Sequence, residues 1–256
     1  MNPGGGQGGI VRRDADGAAG EIASRIAGLV LAGGRSSRMG RDKATLRVEG
    51  ETLIQRQVRL LVRIGIREVF LSRPAVEAAP PDAVPPDDTP PDAVLPDDTH
   101  LDAAIEVTVV RDALSGLGPL AGIVAGLEHA CGRAGELARD REAKALLVLA
   151  VDMPGVTEGF LEGLLAAAAL DEGVGAAPRV GDRWEPLCAL YPPGVLDEAR
   201  RHLAGDRRSP SGLLDALLAS GRIRPVELSP IEAAALRSWN TPEDPEDPDD
   251  PETLVS

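Results

Sequence analysis

Two short segments of this chain, IAGLVLA at 26–32 and ALLVLAV at 145–151, contain no charged or polar side chain. A run of that length, apolar on both alternating faces, suits a strand buried on both sides, as in parallel sheets covered by helices. The remaining pattern agrees. After Thr52, a suitable N-cap, the residues Leu53, Ile54, Val58, Leu61 and Val62 fall on one helical face. EVFLS at 68–72 and IEVTVV at 105–110 read as strands. Leu120, Ile123, Val124 and Leu127 keep helical spacing behind Pro119, and Phe160, Leu161, Leu164 and Leu165 mark another helix. Further strands are expected at 174–180, 186–191 and 222–228, with helices at 194–204 and 210–220. Strands alternating with helices predict an α/β fold of three layers, a mostly parallel sheet flanked by helices. Ligands of such sheets sit outside the carboxyl ends of the strands. The residues that follow Leu31, Val110 and Val151 are therefore the first candidates for chemistry.

The 256 residues suffice for one such domain with a sizeable core. Residues 1–24 are Gly-rich without apolar periodicity and are expected to be a disordered extension. The domain is expected over 25–244, with an acidic tail at 245–256. A tandem repeat, PPDAVPPDDT then PPDAVLPDDT, fills 80–99. Its prolines remove backbone donors and its acids repel one another, so 79–100 reads as an inserted surface loop. The net charge of −14 is concentrated: residues 80–99 and 241–256 together carry thirteen acids and no base, leaving the remainder near −1. That balance disfavours nucleic acid and anionic membrane as partners. Aromatics make up 2% of the chain, too few for a base-stacking platform. No apolar run reaches 18 residues, and the start lacks the apolar stretch of a signal peptide. Two distant cysteines, Cys131 and Cys188, fit neither a disulfide framework nor a structural zinc site, and point to a reducing cytoplasm.

Behind the first strand stands LAGGRSSRMGRDK at 31–43. Its glycines allow close backbone approach to a ligand, and turn amides can face anionic oxygens. Arg35, Arg38, Arg41 and Lys43 against Asp42 give a local charge of +3, a counterpart for a triphosphate. The segment is neither a P-loop nor GxGxxG. After the third strand comes Asp112, where a carboxylate can accept hydrogen bonds from a ribose or a base; a solvated or capping acid is the plain alternative. Gly118-Pro119 forms a tight lead-in to the next helix. Asp152 directly follows the second buried strand, and a strand-end carboxylate suits magnesium, which prefers one or two carboxylates plus phosphate oxygens and waters. Trp184 and Trp239 read as core or pocket wall. His100, His129 and His202 lack the partners that catalysis or metal binding requires.

With these residues in hand, the chain resembles the molybdenum cofactor guanylyltransferases over roughly 26–244, apart from the repeat. The matching pieces are LAGGRSSRMGRDK at 31–43, VVRD at 109–112, GPLAG at 118–122, VDMP at 151–154, EPLCALY at 185–191 and NTPED at 240–244. The resemblance implies a Rossmann-like nucleotidyltransferase fold, Mg2+ as cofactor, and transfer of GMP from GTP to Mo-molybdopterin with release of pyrophosphate. It further implies that the backbone of Leu31, Ala32, Gly33 and Gly34 approaches the nucleotide. Arg38 and Lys43 match phosphate-binding positions, Asp112 a nucleotide-contacting one and Asp152 the metal ligand. Molybdenum-insertion proteins and recipient molybdoenzymes or their chaperones are the implied protein partners. Where the family often has an Asn after the second strand, this chain reads Ser72-Arg73-Pro74. Asp182, Arg183, Trp184, Glu185 and Asn240 border matching segments and are candidates for the acceptor pocket. Alternatives are a molybdopterin cytidylyltransferase, a sugar-phosphate or alditol nucleotidyltransferase, and a non-catalytic GTP- or cofactor-binding carrier.

Overall fold

A computed structural model describes residues 23, 25–32, 47–48, 50–74, 105–112, 117–132, 145–205 and 208–238. Its strands are β1 (Ile26–Leu31), β2 (Arg47–Val48), β3 (Glu51–Thr52), β4 (Glu68–Pro74), β5 (Glu106–Asp112), β6 (Ala145–Ala150), β7 (Gly175–Val180), β8 (Arg183–Trp184), β9 (Cys188–Tyr191) and β10 (Ile223–Glu227). Its helices are α1 (Leu53–Arg63), α2 (Pro119–Gly132), α3 (Glu158–Ala167), α4 (Leu196–Ala204), α5 (Pro210–Ala219) and α6 (Pro230–Ala235). The main sheet runs β10-β7-β9-β6-β1-β4-β5, with β8 on β7, while β2 and β3 form a separate pair. The neighbours β6, β1, β4 and β5 are parallel, as are β10 and β7.

The two apolar runs lie side by side at the centre of this sheet. Every residue of β1 and of β6 is buried, and they pair in register from Ile26 with Ala145 to Leu31 with Ala150. Alternation divides their side chains between two cores. Val30, Leu147 and Leu149 join α1 and α3 on one face; Leu29, Leu31, Leu146 and Val148 join α2, α4 and α5 on the other. Helices on both faces give the three layers expected from the alternation of elements.

The reversed strand β9 departs from the parallel neighbours. It is antiparallel to both β6 and β7. The physical reason is its short connection to β7: only the seven residues 181–187 separate the two paired strands, with β8 within them, and a parallel crossover needs a dozen or more residues. The helix α6 was not evident from apolar spacing, and Ile231 within it is 85% exposed. It starts instead on local chemistry. Ser229 and Glu232 form a capping box, and Pro230 occupies the first turn. Thr52 caps α1 as expected, and Gln55 returns the bond to complete a capping box there too.

Helix α2 approaches the sheet closely because it carries Gly122 and Gly126 on its inner face. A Cβ built at Gly126 would lie 2.7 Å from Leu29 Cδ2 and 3.0 Å from Leu146 Cδ2. Its outer side is covered by α4, where Arg200 pairs with Glu128 at 2.9 Å, so nearly the whole helix middle is buried. At its start Gly118 has φ +78°, a left-handed conformation that glycine adopts without strain. Among the described residues no helix is long and apolar enough to cross a membrane.

These packing relations give two opposite expectations for glycine replacement. Gly126→Val should destabilise the protein by about 2 kcal/mol or more, because overpacking displaces buried leucines. Gly163→Ala should stabilise it by up to about 1 kcal/mol, since Gly163 is helical and nothing lies within 4 Å of its added methyl. Urea unfolding of both variants checks the contrast.

Candidate active site at the carboxyl edge of the sheet

Register brings β1 and β6 to end level, while β4 and β5 run two residues further at the same edge. Leu31 is paired with Ala150 on one side and Ser72 on the other, and Ser72 is paired with Val110. Two hydrogen bonds fix where the chain leaves β1. The Leu31 carbonyl accepts from the Val151 amide at 3.2 Å, and the Ala32 amide donates to the Ser72 carbonyl at 3.2 Å. The glycine-rich basic segment therefore departs between the ends of β4 and β6. Gly33, Gly34, Arg38 and Lys43 lie outside the described residues, as do Trp239 and Asn240.

Asp152 follows Val151, the residue bonded to Leu31, and is half-buried. The entrance to the glycine-rich segment and the backbone leading into Asp152, more than a hundred residues apart in sequence, are thus neighbours across one strand spacing of about 4.8 Å. Asp112 ends β5, where its backbone pairs with Pro74. It stands two strands from β1, roughly 10 Å sideways, on the same edge. Leu31, Ala32, Asp112 and Asp152 are accordingly brought together along one side of the sheet.

Ser72, in the Ser72-Arg73-Pro74 stretch that departs from the resemblance, is 4% exposed. A Cβ built at Gly122 would lie 2.7 Å from both Ser72 Oγ and Leu31 Cδ2. The last glycine of GPLAG thus lets the start of α2 close over the ends of β1 and β4.

On the other side of β6, the turn leading into β9 reaches the same edge. The Ala150 amide donates to the Leu187 carbonyl at 2.8 Å, so Glu185-Pro186 run past the end of β6. The Tyr191 hydroxyl donates to the Pro186 carbonyl at 2.9 Å and holds that turn from within; burial pushes this phenol's pKa up. Burial likewise raises the Glu185 carboxyl, opposed by the Arg183 guanidinium 2.8 Å away. Trp184 is 4% exposed, its indole N–H donates to Asp215 Oδ1 at 2.7 Å, and Arg179 lies over its ring at 5.1 Å. Trp184 is therefore a core residue that ties the β7–β8 hairpin to α5. Asp182 is exposed and pairs with Arg179 at 3.1 Å. Burial raises the Cys188 thiol to about 12, which keeps it protonated and unreactive.

Sequence reasoning passed over two residues of α1. Gln57, 1% exposed, donates from Nε2 to the Met153 carbonyl at 2.9 Å and to the Ala150 carbonyl at 3.4 Å. Arg56 donates from Nε to the Pro154 carbonyl at 3.0 Å. The signal for Gln57 was a polar residue four positions from both Leu53 and Leu61, inside the buried stripe of the helix.

Comparison with known proteins agrees with this architecture. The family described as MobA-like NTP transferase domain matches residues 28–220. A protein of Opitutus terrae named "probable molybdenum cofactor guanylyltransferase" is 39% identical over 222 residues, covering 87% of this chain and 94% of its own length. A protein of the same name from Mycobacterium tuberculosis is 34% identical, covering 75% of this chain and 80% of its own length. Among solved structures, molybdopterin-guanine dinucleotide biosynthesis protein A from Archaeoglobus fulgidus shares the fold with a TM-score of 0.55 and 21% identity, over 85% of this chain and 94% of that one. The 4-diphosphocytidyl-2C-methyl-D-erythritol synthase of Anaerococcus prevotii shares it too, with a TM-score of 0.55 and 13% identity, over 88% and 95%. With the family match spanning most of the chain and a 39%-identical relative covering nearly all of it, the chain belongs to the MobA-like NTP transferase family.

Proposed function

We propose that this nucleotidyltransferase transfers GMP from GTP to Mo-molybdopterin, forming the guanine dinucleotide of the cofactor and pyrophosphate. The observation that carries this reading is the junction at the carboxyl edge, where the bond from Val151 to Leu31 sets Asp152 beside the exit of β1. The relatives named for guanylyl transfer support GTP as the donor.

In this reading the backbone of Leu31, Ala32, Gly33 and Gly34 lies along the nucleotide, and Asp112 accepts from its ribose or base. Arg38 and Lys43 bind the phosphates. Asp152 holds Mg2+. The donor chemistry fits that ion: a single strand-end carboxylate leaves the other positions to phosphate oxygens and water, as magnesium prefers. When bound, the ion supplies charge neutralisation across the phosphates.

A terminal phosphate oxygen of molybdopterin attacks the α-phosphorus of GTP, and the bond from that phosphorus to the bridging oxygen of the β-phosphate breaks. Pyrophosphate leaves with the bonding electrons. The nucleophile is already ionised near neutral pH, so no general base is needed. Arg38 and Lys43 stabilise charge on the leaving pyrophosphate, and the protein contributes positioning and electrostatics. Glu185 and the adjoining hairpin border the acceptor side. The reaction belongs to the cytoplasm in this reading, in keeping with two cysteines, Cys131 and Cys188, that stand far apart in sequence and outside any zinc spacing.

Pyrophosphate release on mixing the protein with GTP, Mg2+ and Mo-molybdopterin tests the activity, with CTP assayed in parallel. Faster turnover with CTP, or none with either nucleotide, overturns the reading. Asp152→Asn is expected to lower kcat by about a hundredfold or more, the scale of losing one preorganised electrostatic group, while changing GTP affinity far less. Near-normal turnover at saturating Mg2+ would refute the role of Asp152. Lys43→Ala is expected to weaken GTP binding about tenfold or more, the scale of one charge-assisted hydrogen bond. Calorimetry showing unchanged affinity removes Lys43 from the site.

A further inference from the structure

The turn that carries Asp152 is held from below by α1. Gln57 donates to the carbonyls of Ala150 and Met153, which bracket Val151-Asp152, and Arg56 donates to the carbonyl of Pro154. These bonds join residues 93 to 98 positions apart in sequence, so they are not local turn geometry. The Gln57 amide is buried on the same face as Leu53, Val58 and Leu61. An apolar side chain of similar length would pack that face without desolvating an amide. What the glutamine adds is two directed donors aimed at the backbone on either side of the aspartate.

We infer that Gln57, assisted by Arg56, is a positioning residue that fixes the Val151–Pro154 turn and so aims the Asp152 carboxylate toward the metal-triphosphate. The inference rests on the reading of Asp152 as the metal ligand. A carboxylate on a turn follows its backbone, and metal sites need their ligands held within fractions of an ångström. Partners outside the ligand shell carry that duty, and their loss weakens metal sites by about tenfold or more. Here the support comes from a helix whose own start is locked by the Thr52–Gln55 capping box.

The test uses the full chain with Gln57→Met, which keeps the length of the side chain and removes both donors. Val62→Ala, on the same buried face of α1 but not bonded to the turn, controls for general loosening of the helix. Two readouts are taken: the Mg2+ concentration for half-maximal turnover, and Mn2+ binding to the protein–GTP complex by electron paramagnetic resonance. Gln57→Met should raise the Mg2+ requirement and weaken Mn2+ binding about tenfold, with KM for GTP within about twofold of the parent. Val62→Ala should leave both near the parent value. If Gln57→Met moves neither readout more than Val62→Ala does, the positioning role is overturned. Asp152→Asn is run beside them. If it weakens Mn2+ binding while Gln57→Met does not, only the positioning role falls. If it leaves Mn2+ binding intact, the metal-ligand reading falls and the inference with it. Should Gln57→Met not fold, Arg56→Met carries the same measurement with the same outcomes.

Discussion

The bond from the Val151 amide to the Leu31 carbonyl is the contact on which the rest of the edge depends. It is the rung just past the parallel ladder between β1 and β6, two strands buried along their whole length. A ladder buried on both faces cannot slip by a residue without turning each strand's two sets of side chains toward the wrong core. The same register that packs Leu29 and Leu146 against α2 therefore determines which residues emerge at the carboxyl edge. Site geometry and core packing are set together by one alignment, and neither can be altered alone.

The two helical layers bear on that edge in different ways. On one face α2 comes close to the sheet through Gly122 and Gly126, and its first turns cover the ends of β1 and β4. On the other face α1 meets β1 at Gly28, where an added Cβ would fall 2.7 Å from Leu61 Cδ1, and sends Gln57 and Arg56 to the turn after β6. Small residues on one side and long polar ones on the other thus frame the exit of β1 and the turn of Asp152.

Much of this was legible in the amino-acid order because it is written in periodicity. The runs at 26–32 and 145–151 suited fully buried strands, and the alternation of elements carried the layered fold. The candidate aspartates were legible because each stands at a strand end. Features without a period escaped: β2, β3 and β8 have two residues each, too few to alternate. The direction of β9 was not in its own sequence, since CALY is buried throughout and reads alike in either orientation; the connection length held that information. Helix α6 was signalled by Ser229-Pro230 and Glu232 rather than by an apolar stripe. Gln57 was visible only as an exception within a pattern, and its partners lie more than ninety residues away. Trp184 proved to be scaffold, its indole satisfied by Asp215.

The reversal of β9 has an architectural effect of its own. A parallel strand delivers its end to the carboxyl edge, whereas an antiparallel one delivers its beginning. The stretch from Gly181 to Leu187 therefore skirts the rim as a hairpin and turn, anchored by Trp184 behind and Tyr191 beneath. Its tip, Gly181-Asp182, is exposed and touches neither β1 nor β6 through the ladder. Gly181, at φ +58°, is held to glycine by the turn, but Asp182 can be exchanged without disturbing the β1–β6 alignment, so one rim of the site is able to diversify while the opposite one stays fixed.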